Sequence, residues 1–244
     1  MGSVRVHNRL ILLPAKPGRS RFPLRWVVHV QDLRLCELLA ARLCHDLVGP
    51  IGAVANGVEL IGEDGSGADA EVVRLISGSA KVASNRLQAF RVAFGSGNTL
   101  PSTGWSNTVR DLAAGLVEEG KATLDWQPIA PDVEAMSDRR LAKVLLNLAL
   151  IALDSMMRGG TVRVQTSASQ RSIAITVRGQ GGQSKIAEEV RAGLEGVFDL
   201  AKATPKAAPA YLVASLAREL NAMVAVSPDS APEFEIRVTV PARG

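Results

Sequence analysis

A histidine followed directly by an aspartate, His45 and Asp46, is the pair of residues in this sequence whose types could do covalent chemistry. A neutral imidazole can attack an electrophile through one ring nitrogen while the other nitrogen keeps its proton. A neighbouring carboxylate can accept the hydrogen bond of that proton and support the positive charge that develops. The pair is therefore a candidate nucleophile and its orienting partner, able to form a phosphoimidazole.

Two other interpretations of His45 stay open from the residues alone. A lone histidine is often a surface side chain of an imperfect helix. A metal site is the weaker interpretation, because the chain has 3 His and no second ligand lies at i+4 on the same face. We therefore expect no metal and no cofactor.

The segment around His45 predicts one long amphipathic helix from residue 31 to about residue 61. Its apolar residues recur at steps of three and four and form a heptad-like seam, made of Cys36, Ala40, Leu43, Leu47, Ile51, Val54, Val58 and Ile61. The glycine-rich stretch GEDGSGADA predicts a tight turn, and a second helix follows with a seam of Val72, Ile76, Ala83, Leu87, Phe90 and Phe94. Such a hairpin has too little core by itself, so we expect a homodimer that forms a four-helix bundle.

His45 is predicted to point away from this seam. At about 100° per residue it lies about 200° from Leu43 and from Leu47. Gly49 costs about 1 kcal/mol against alanine in a helix interior, and Pro50 removes a hydrogen bond and bends the axis. We interpret Gly49 and Pro50 as shaping a docking surface beside the ring. Asn56, eleven residues after His45, returns to a similar face, and Arg42 lies one turn before it, either solvated or in contact with a partner.

Beyond residue 104 the pattern changes to alternating helices and strands. Predicted helices span residues 105–119, 137–158, 185–194 and 208–222, and predicted strands span residues 122–126, 161–168, 172–179, 223–227 and 233–241. Several strands alternate apolar with polar residues, as a sheet covered by helices on one face requires. The expected fold class is α+β: a helical hairpin over residues 31–95, a linker at 96–104, and an α/β sandwich over 105–244.

The formal charge of +4 is concentrated in residues 1–30, which hold six basic and no acidic residues. The remainder has 22 basic and 24 acidic residues, so binding of nucleic acid is not expected. We interpret residues 1–30 as a disordered extension or a start placed too far upstream. No membrane segment is expected, and Cys36 and Cys44 are expected as buried thiols of a cytoplasmic protein.

The stretch HDLVGPI resembles the H-box of two-component sensor kinases, with His45, Asp46, Leu47, Pro50 and Ile51 at the matching positions. The second half resembles the kinase ATP-binding domain in outline but not in chemistry. In the N-box-like stretch, Asn147 matches the first asparagine, whereas Ile151 occupies the position of the second.

Two further nucleotide-binding features of the kinases are altered. Gly179 occupies the position of the aspartate that contacts adenine, and only Gly181 of the following glycines is in register. Ala208, Pro209 and Ala210 replace the glycine-rich turn that wraps the phosphates, where glycine lets the backbone approach closely.

An intact histidine with an altered nucleotide site resembles the ChpT-type bacterial histidine phosphotransferases, over roughly residues 31–241. The resemblance implies a homodimer without ATP binding. It also implies that His45 takes a phosphoryl group from the receiver domain of a hybrid histidine kinase and passes it to response regulators of the cell cycle. Asp46 would orient the imidazole, Arg42, Gly49, Pro50 and Asn56 would contact the receiver, and magnesium would come with the receiver domain.

Two alternatives are kept. One is an ATP-dependent histidine kinase that binds nucleotide through altered contacts, although Ile151, Gly179 and Ala208 disfavour it. The other is a non-catalytic module that binds a regulator without chemistry.

Overall fold

The computed structural model describes residues 30–64, 70–95, 100–101, 103–117, 122–156, 158–169, 171–181, 184–197, 199–228 and 233–242. The helices are α1 (Val30–Asp64), α2 (Ala70–Ala93), α3 (Trp105–Val117), α4 (Pro131–Met136), α5 (Arg140–Asp154), α6 (Glu188–Leu194) and α7 (Ala208–Glu219). The strands are β1 (Ala122–Trp126), β2 (Gly160–Ala168), β3 (Ser172–Gln180), β4 (Met223–Val226) and β5 (Glu233–Pro241). The predicted α+β class, with a helical hairpin followed by a sandwich, is confirmed.

A five-stranded sheet of order β1-β2-β3-β5-β4 forms one layer of the second half. β1 pairs with β2 in parallel, and the other neighbours are antiparallel. Alternate residues of the three central strands are buried and form one apolar face, namely Val162, Val164, Ile173, Ile175, Val177, Phe234, Ile236, Val238 and Val240. Because side chains of a strand alternate between faces, the opposite face carries polar side chains such as Arg163 and Arg178.

The helix α5 lies between the sheet and the hairpin. It contacts β3 on one side and α2 on the other, with α3 and α7 beside it. Eleven of its fifteen residues are buried, as expected for a helix that is apolar all round. The predicted helix 137–158 is shorter at both ends. The Asp138 carboxylate accepts the backbone N–H of Arg140 at the start, and the Ser155 hydroxyl donates to the Ile151 carbonyl at the end.

The hairpin is formed by α1 and α2. Gly57 makes their close approach possible, because a Cβ atom there would lie 2.5 Å from the Ile76 side chain. The N-terminal half of α1 packs against the sandwich through Leu38, which is 2% exposed, and the Arg34 guanidinium donates to the Leu200 carbonyl at 3.3 Å. The hairpin is thus attached to the sandwich along one side.

The outer side of the hairpin leaves large apolar side chains exposed in the single chain, including Val48, Ile51, Val58, Val73 and Leu87. Cys36 and Cys44 are also exposed, so the prediction that they are buried is wrong for the single chain. Cys36 lies on the seam, which faces outward there as it does at Ile51 and Val58. By length and composition alone, Leu33–Ile61 could cross a membrane. A single such helix is weak evidence for a span, because a core helix of a soluble protein or a signal sequence can have the same length and composition.

Two other predictions were incomplete. The helix α4 was not anticipated, since six residues are too short to show helical periodicity. The predicted linker 96–104 is partly packed, because Leu100 is 5% exposed and belongs to the core. The predicted extension over residues 1–30 lies outside the described residues except for its last residue, which begins α1.

Candidate functional site

His45 lies near the middle of α1 with its side chain 83% exposed. The predicted orientation away from the helix contact is therefore what the structure has. Its neighbour on the accessible side, Gly49, is also exposed, and an added Cβ atom there would meet nothing within 4 Å. A partner protein can approach the imidazole without any movement of this chain.

The carboxylate of Asp46 holds the imidazole in one orientation. Its Oδ1 lies 2.9 Å from His45 Nδ1. Because a carboxylate only accepts hydrogen bonds, Nδ1 is the donor in this contact, and in a neutral imidazole the lone pair then lies on Nε2. The Asp46 side chain is only 13% exposed, so its position is set by the protein rather than by water. In the neutral ring, Nε2 is consequently the atom that could act as a nucleophile.

Arg42 is buried, so the prediction that it is a solvated helix charge is wrong, whereas its contact with a receiver stays a prediction. The residue is 8% exposed and its Nε lies 2.5 Å from Asp46 Oδ2. Its two terminal nitrogens donate to both oxygens of Asp154, at 2.7 and 3.1 Å. Burial lowers the pKa of Arg42, but its hydrogen bonds and charge interactions with Asp154 and Asp46 outweigh this and raise the pKa overall. The guanidinium therefore stays charged and joins α1 to α5.

Asp154 was missed in the sequence because its partner is 112 residues away. One signal was present: Asp154 is the last residue of a helix. A negative charge is unfavourable there against the helix dipole, which indicates that such a carboxylate has a compensating partner elsewhere.

Pro50 determines a second contact of the site. In an α-helix the carbonyl of Asp46 would accept the N–H of residue 50, and proline has none. The guanidinium of Arg86, on α2, donates to this Asp46 carbonyl instead. Pro50 thus leaves a free acceptor next to His45, and α2 satisfies it. Arg86 was also missed, although an unpaired carbonyl four residues before a proline is a usable signal.

The remaining predicted site residues lie as follows. Asn56 is exposed and Pro50 is half-buried. By helix geometry Gly49 and Asn56 share the side of α1 that presents His45. Their role in partner binding stays a prediction.

The positions that resemble kinase nucleotide-binding residues serve packing here. Asn147 is fully buried and donates to the carbonyls of Ala93 and Lys143, at 3.0 and 2.8 Å. It thereby ties the end of α2 to α5. Ile151 is 2% exposed and belongs to the core.

The other two nucleotide features are also part of the packed structure. A Cβ atom at Gly179 would overlap the ring of Phe234, so no side chain fits at the position of the adenine-contacting aspartate. Ala208 and Ala210 are fully buried in the first turn of α7. Gly181 packs against the backbone of Gly159. In the described part of the chain, no group of three or more His, Cys, Asp or Glu side chains could hold a metal ion.

Comparison with known proteins places the second half in a defined family. The family described as histidine phosphotransferase C-terminal domain matches residues 106–232. The protein phosphotransferase ChpT of Brucella abortus (strain 2308) is 34% identical over 155 residues, which cover 63% of this chain and 71% of that protein.

A solved structure described as a bacterial phosphotransferase superposes with a TM-score of 0.70 at 27% identity, covering 86% of this chain and 98% of that one. A histidine kinase domain from Erythrobacter litoralis is more distant, with a TM-score of 0.44 at 16% identity over 87% of this chain and 92% of that chain.

Proposed function

The chain belongs to the histidine phosphotransferase family, and on this premise we propose that it carries the phosphoryl group on His45 of α1. The observation that supports this assignment most directly is the geometry of His45: an 83% exposed imidazole whose Nδ1 lies on a nearly buried carboxylate. The proposed donor is the receiver domain of a hybrid histidine kinase, and the proposed acceptors are response regulators, with control of the cell cycle as the pathway.

In the proposed step, His45 Nε2 attacks the phosphorus of an aspartyl phosphate on the receiver domain. The N–P bond forms, the P–O bond to the receiver carboxylate breaks, and that carboxylate leaves with the electron pair. Nδ1 keeps its proton throughout, and the charge that develops on the ring is balanced by Asp46. The reverse step delivers the group to a second receiver. Magnesium on the receiver would neutralise charge on the phosphoryl oxygens.

We infer further that this protein does not use ATP. Ile151 is a core residue, Gly179 has no room for a carboxylate, and Ala208 begins a helix. Each of these positions would need a different residue to resemble a kinase nucleotide site. We also propose that the protein is cytoplasmic and a homodimer, and the exposed apolar side chains of the hairpin support the homodimer.

A phosphoryl-transfer assay tests the proposed function. The purified chain is mixed with a receiver domain carrying labelled aspartyl phosphate and, separately, with labelled ATP alone. We expect acid-labile label from the receiver within minutes, none from ATP, and none on the His45→Ala or His45→Gln variant. Met223→Ala is the matched control, because that side chain is similarly exposed, at 75%, but lies on β4.

The two alternatives give different results in the same assay. Label from ATP alone would establish a kinase with an altered nucleotide site. No label from either source, with a receiver that phosphorylates a known acceptor, would leave a module that only binds regulators.

A further inference from the structure

Asp154 reaches His45 through a continuous chain of charged hydrogen bonds. The chain runs from the imidazole Nδ1 to Asp46, from Asp46 to the Arg42 guanidinium, and from there to the Asp154 carboxylate. Every heavy-atom distance along it is between 2.5 and 3.1 Å. Three of the four residues lie on α1, and the fourth comes from α5 of the sandwich.

We propose that Asp154 is a positioning residue for His45, acting through Arg42 and Asp46, so that the sandwich controls the reactivity of the histidine. This inference rests on the proposed function of His45. The two terminal nitrogens of Arg42 donate to Asp154, and only its Nε donates to Asp46. Asp154 therefore keeps the guanidinium from taking both Asp46 oxygens, and Oδ1 stays available to the imidazole.

Arg42 and Asp46 are largely buried, so the way in which Arg42 divides its donors between Asp46 and Asp154 matters for Asp46. Their side chains are 10% and 13% exposed, so their positions are set mainly by the protein groups that they contact. A guanidinium without Asp154 would turn its two-nitrogen fork onto Asp46, the geometry that arginine and carboxylate prefer. The space exists, because a cavity of about 140 Å³ lies beside Arg42 and Asp46 and is also lined by Arg86 and Asp154.

The consequence would be felt at the imidazole. With both Asp46 oxygens on Arg42, Nδ1–H would share Oδ1 with a charged donor. Its hydrogen bond would be weaker and less well aligned, and the ring proton could then move to Nε2. A ring protonated at Nε2 has no lone pair there to attack phosphorus. Charged groups face Asp46 from three elements: Arg42 of α1, Arg86 of α2 and, through Arg42, Asp154 of α5.

A kinetic double-mutant cycle separates this positioning role from simple attachment of the hairpin. The rate of transfer from a phosphorylated receiver is measured in the full chain for the wild type, Asp154→Asn, Asp46→Asn and the double variant. We expect Asp154→Asn to slow transfer about tenfold, by analogy with the loss of a group that orients a metal-binding histidine. In the Asp46→Asn background its effect should fall below about twofold, because the route to His45 is already broken.

The same slowing factor in both backgrounds would overturn the proposal, since a residue that only attaches α1 to α5 acts regardless of Asp46. Asp154→Glu should restore most of the rate. Glu219→Gln is the matched control, because it removes another carboxylate from an arginine of α5, Arg140. If Asp154→Asn does not fold by circular dichroism, Arg42→Lys replaces it in the cycle, since a single ammonium cannot hold two carboxylates in this way.

A second measurement does not depend on phosphoryl transfer. Nitrogen-15 chemical shifts of labelled histidine report which ring nitrogen carries the proton, and the His45→Gln spectrum assigns the His45 signals. We expect Asp154→Asn to increase the population protonated at Nε2 and Glu219→Gln to leave it unchanged. No change in Asp154→Asn would overturn the inference. A wild type that takes no label from the receiver would instead overturn the proposed function, and the tautomer result would still decide the role of Asp154.

Discussion

Truncation of the apolar side chain of Ile51 should separate the proposed dimer without unfolding the chain. Ile51 is 54% exposed in the single chain, on the outer side of the hairpin. Full burial of such a side chain contributes about 1.5–3 kcal/mol, so covering the exposed half contributes about 1 kcal/mol. A symmetric interface contains the residue twice. Ile51→Ala should therefore weaken dimerisation by about 2 kcal/mol, or about 30-fold in Kd.

Adding Val58→Ala, at a residue 56% exposed, should bring the loss to about 4 kcal/mol, close to a thousandfold. Sedimentation equilibrium over a range of protein concentrations measures both constants. Val197→Ala is the control, because Val197 is 60% exposed but lies beyond α6. The reasoning fails if the wild type sediments as a monomer at all concentrations, or if Ile51→Ala and Val197→Ala dimerise with the same Kd as the wild type.

Two further substitutions test the sandwich. Gly179→Asp restores the carboxylate found in the kinases, but its Cβ overlaps Phe234. We expect the free energy of unfolding, measured with urea, to fall by about 1–3 kcal/mol, and we expect no ATP binding by calorimetry. A stable variant that binds ATP would contradict this. Burial raises the pKa of Tyr211 although a backbone hydrogen bond with Asp199 lowers it, and the charges of Asp199 and Glu189 raise it further. The unfolded chain therefore releases the phenol proton first, so stability should fall as pH rises above about 10. The free energy of unfolding of Tyr211→Phe should not show this decline above about pH 10. Parallel plots of the free energy of unfolding against pH for the two proteins would refute the raised pKa of Tyr211.

The sheet was predictable because its pattern is local. Strand β3 was expected at residues 172–179 and is found at Ser172–Gln180, since alternation and the polar turn before it are both visible in sequence. The exposure of His45 also followed from helix geometry alone. Helix α7 ends three residues before its predicted end, where Asn221 adopts a positive φ of 51°, a conformation that asparagine tolerates.

Contacts between segments that are distant in the sequence could not be predicted from local patterns. The burial of Arg42 depends on Asp154, and nothing in the residues near Arg42 signals it. The apolar residues of α1 were visible in the sequence, but not which part of the structure covers each of them. The sandwich covers Leu38, whereas Cys36 and Cys44 face outward in the single chain.

The attachment of α1 to the sandwich has a consequence for the flux of phosphoryl groups through the proposed relay. The helix α1 is held against its neighbours by Leu38, Arg34 and Arg42. His45 therefore has one position in each chain and does not move between two separate receiver-binding sites. A donor receiver and an acceptor receiver must then occupy that place in turn. A donor that has given its phosphoryl group to a His45 has to leave before an acceptor can bind at that histidine, so the competing receivers divide the flux by their concentrations and dissociation rates.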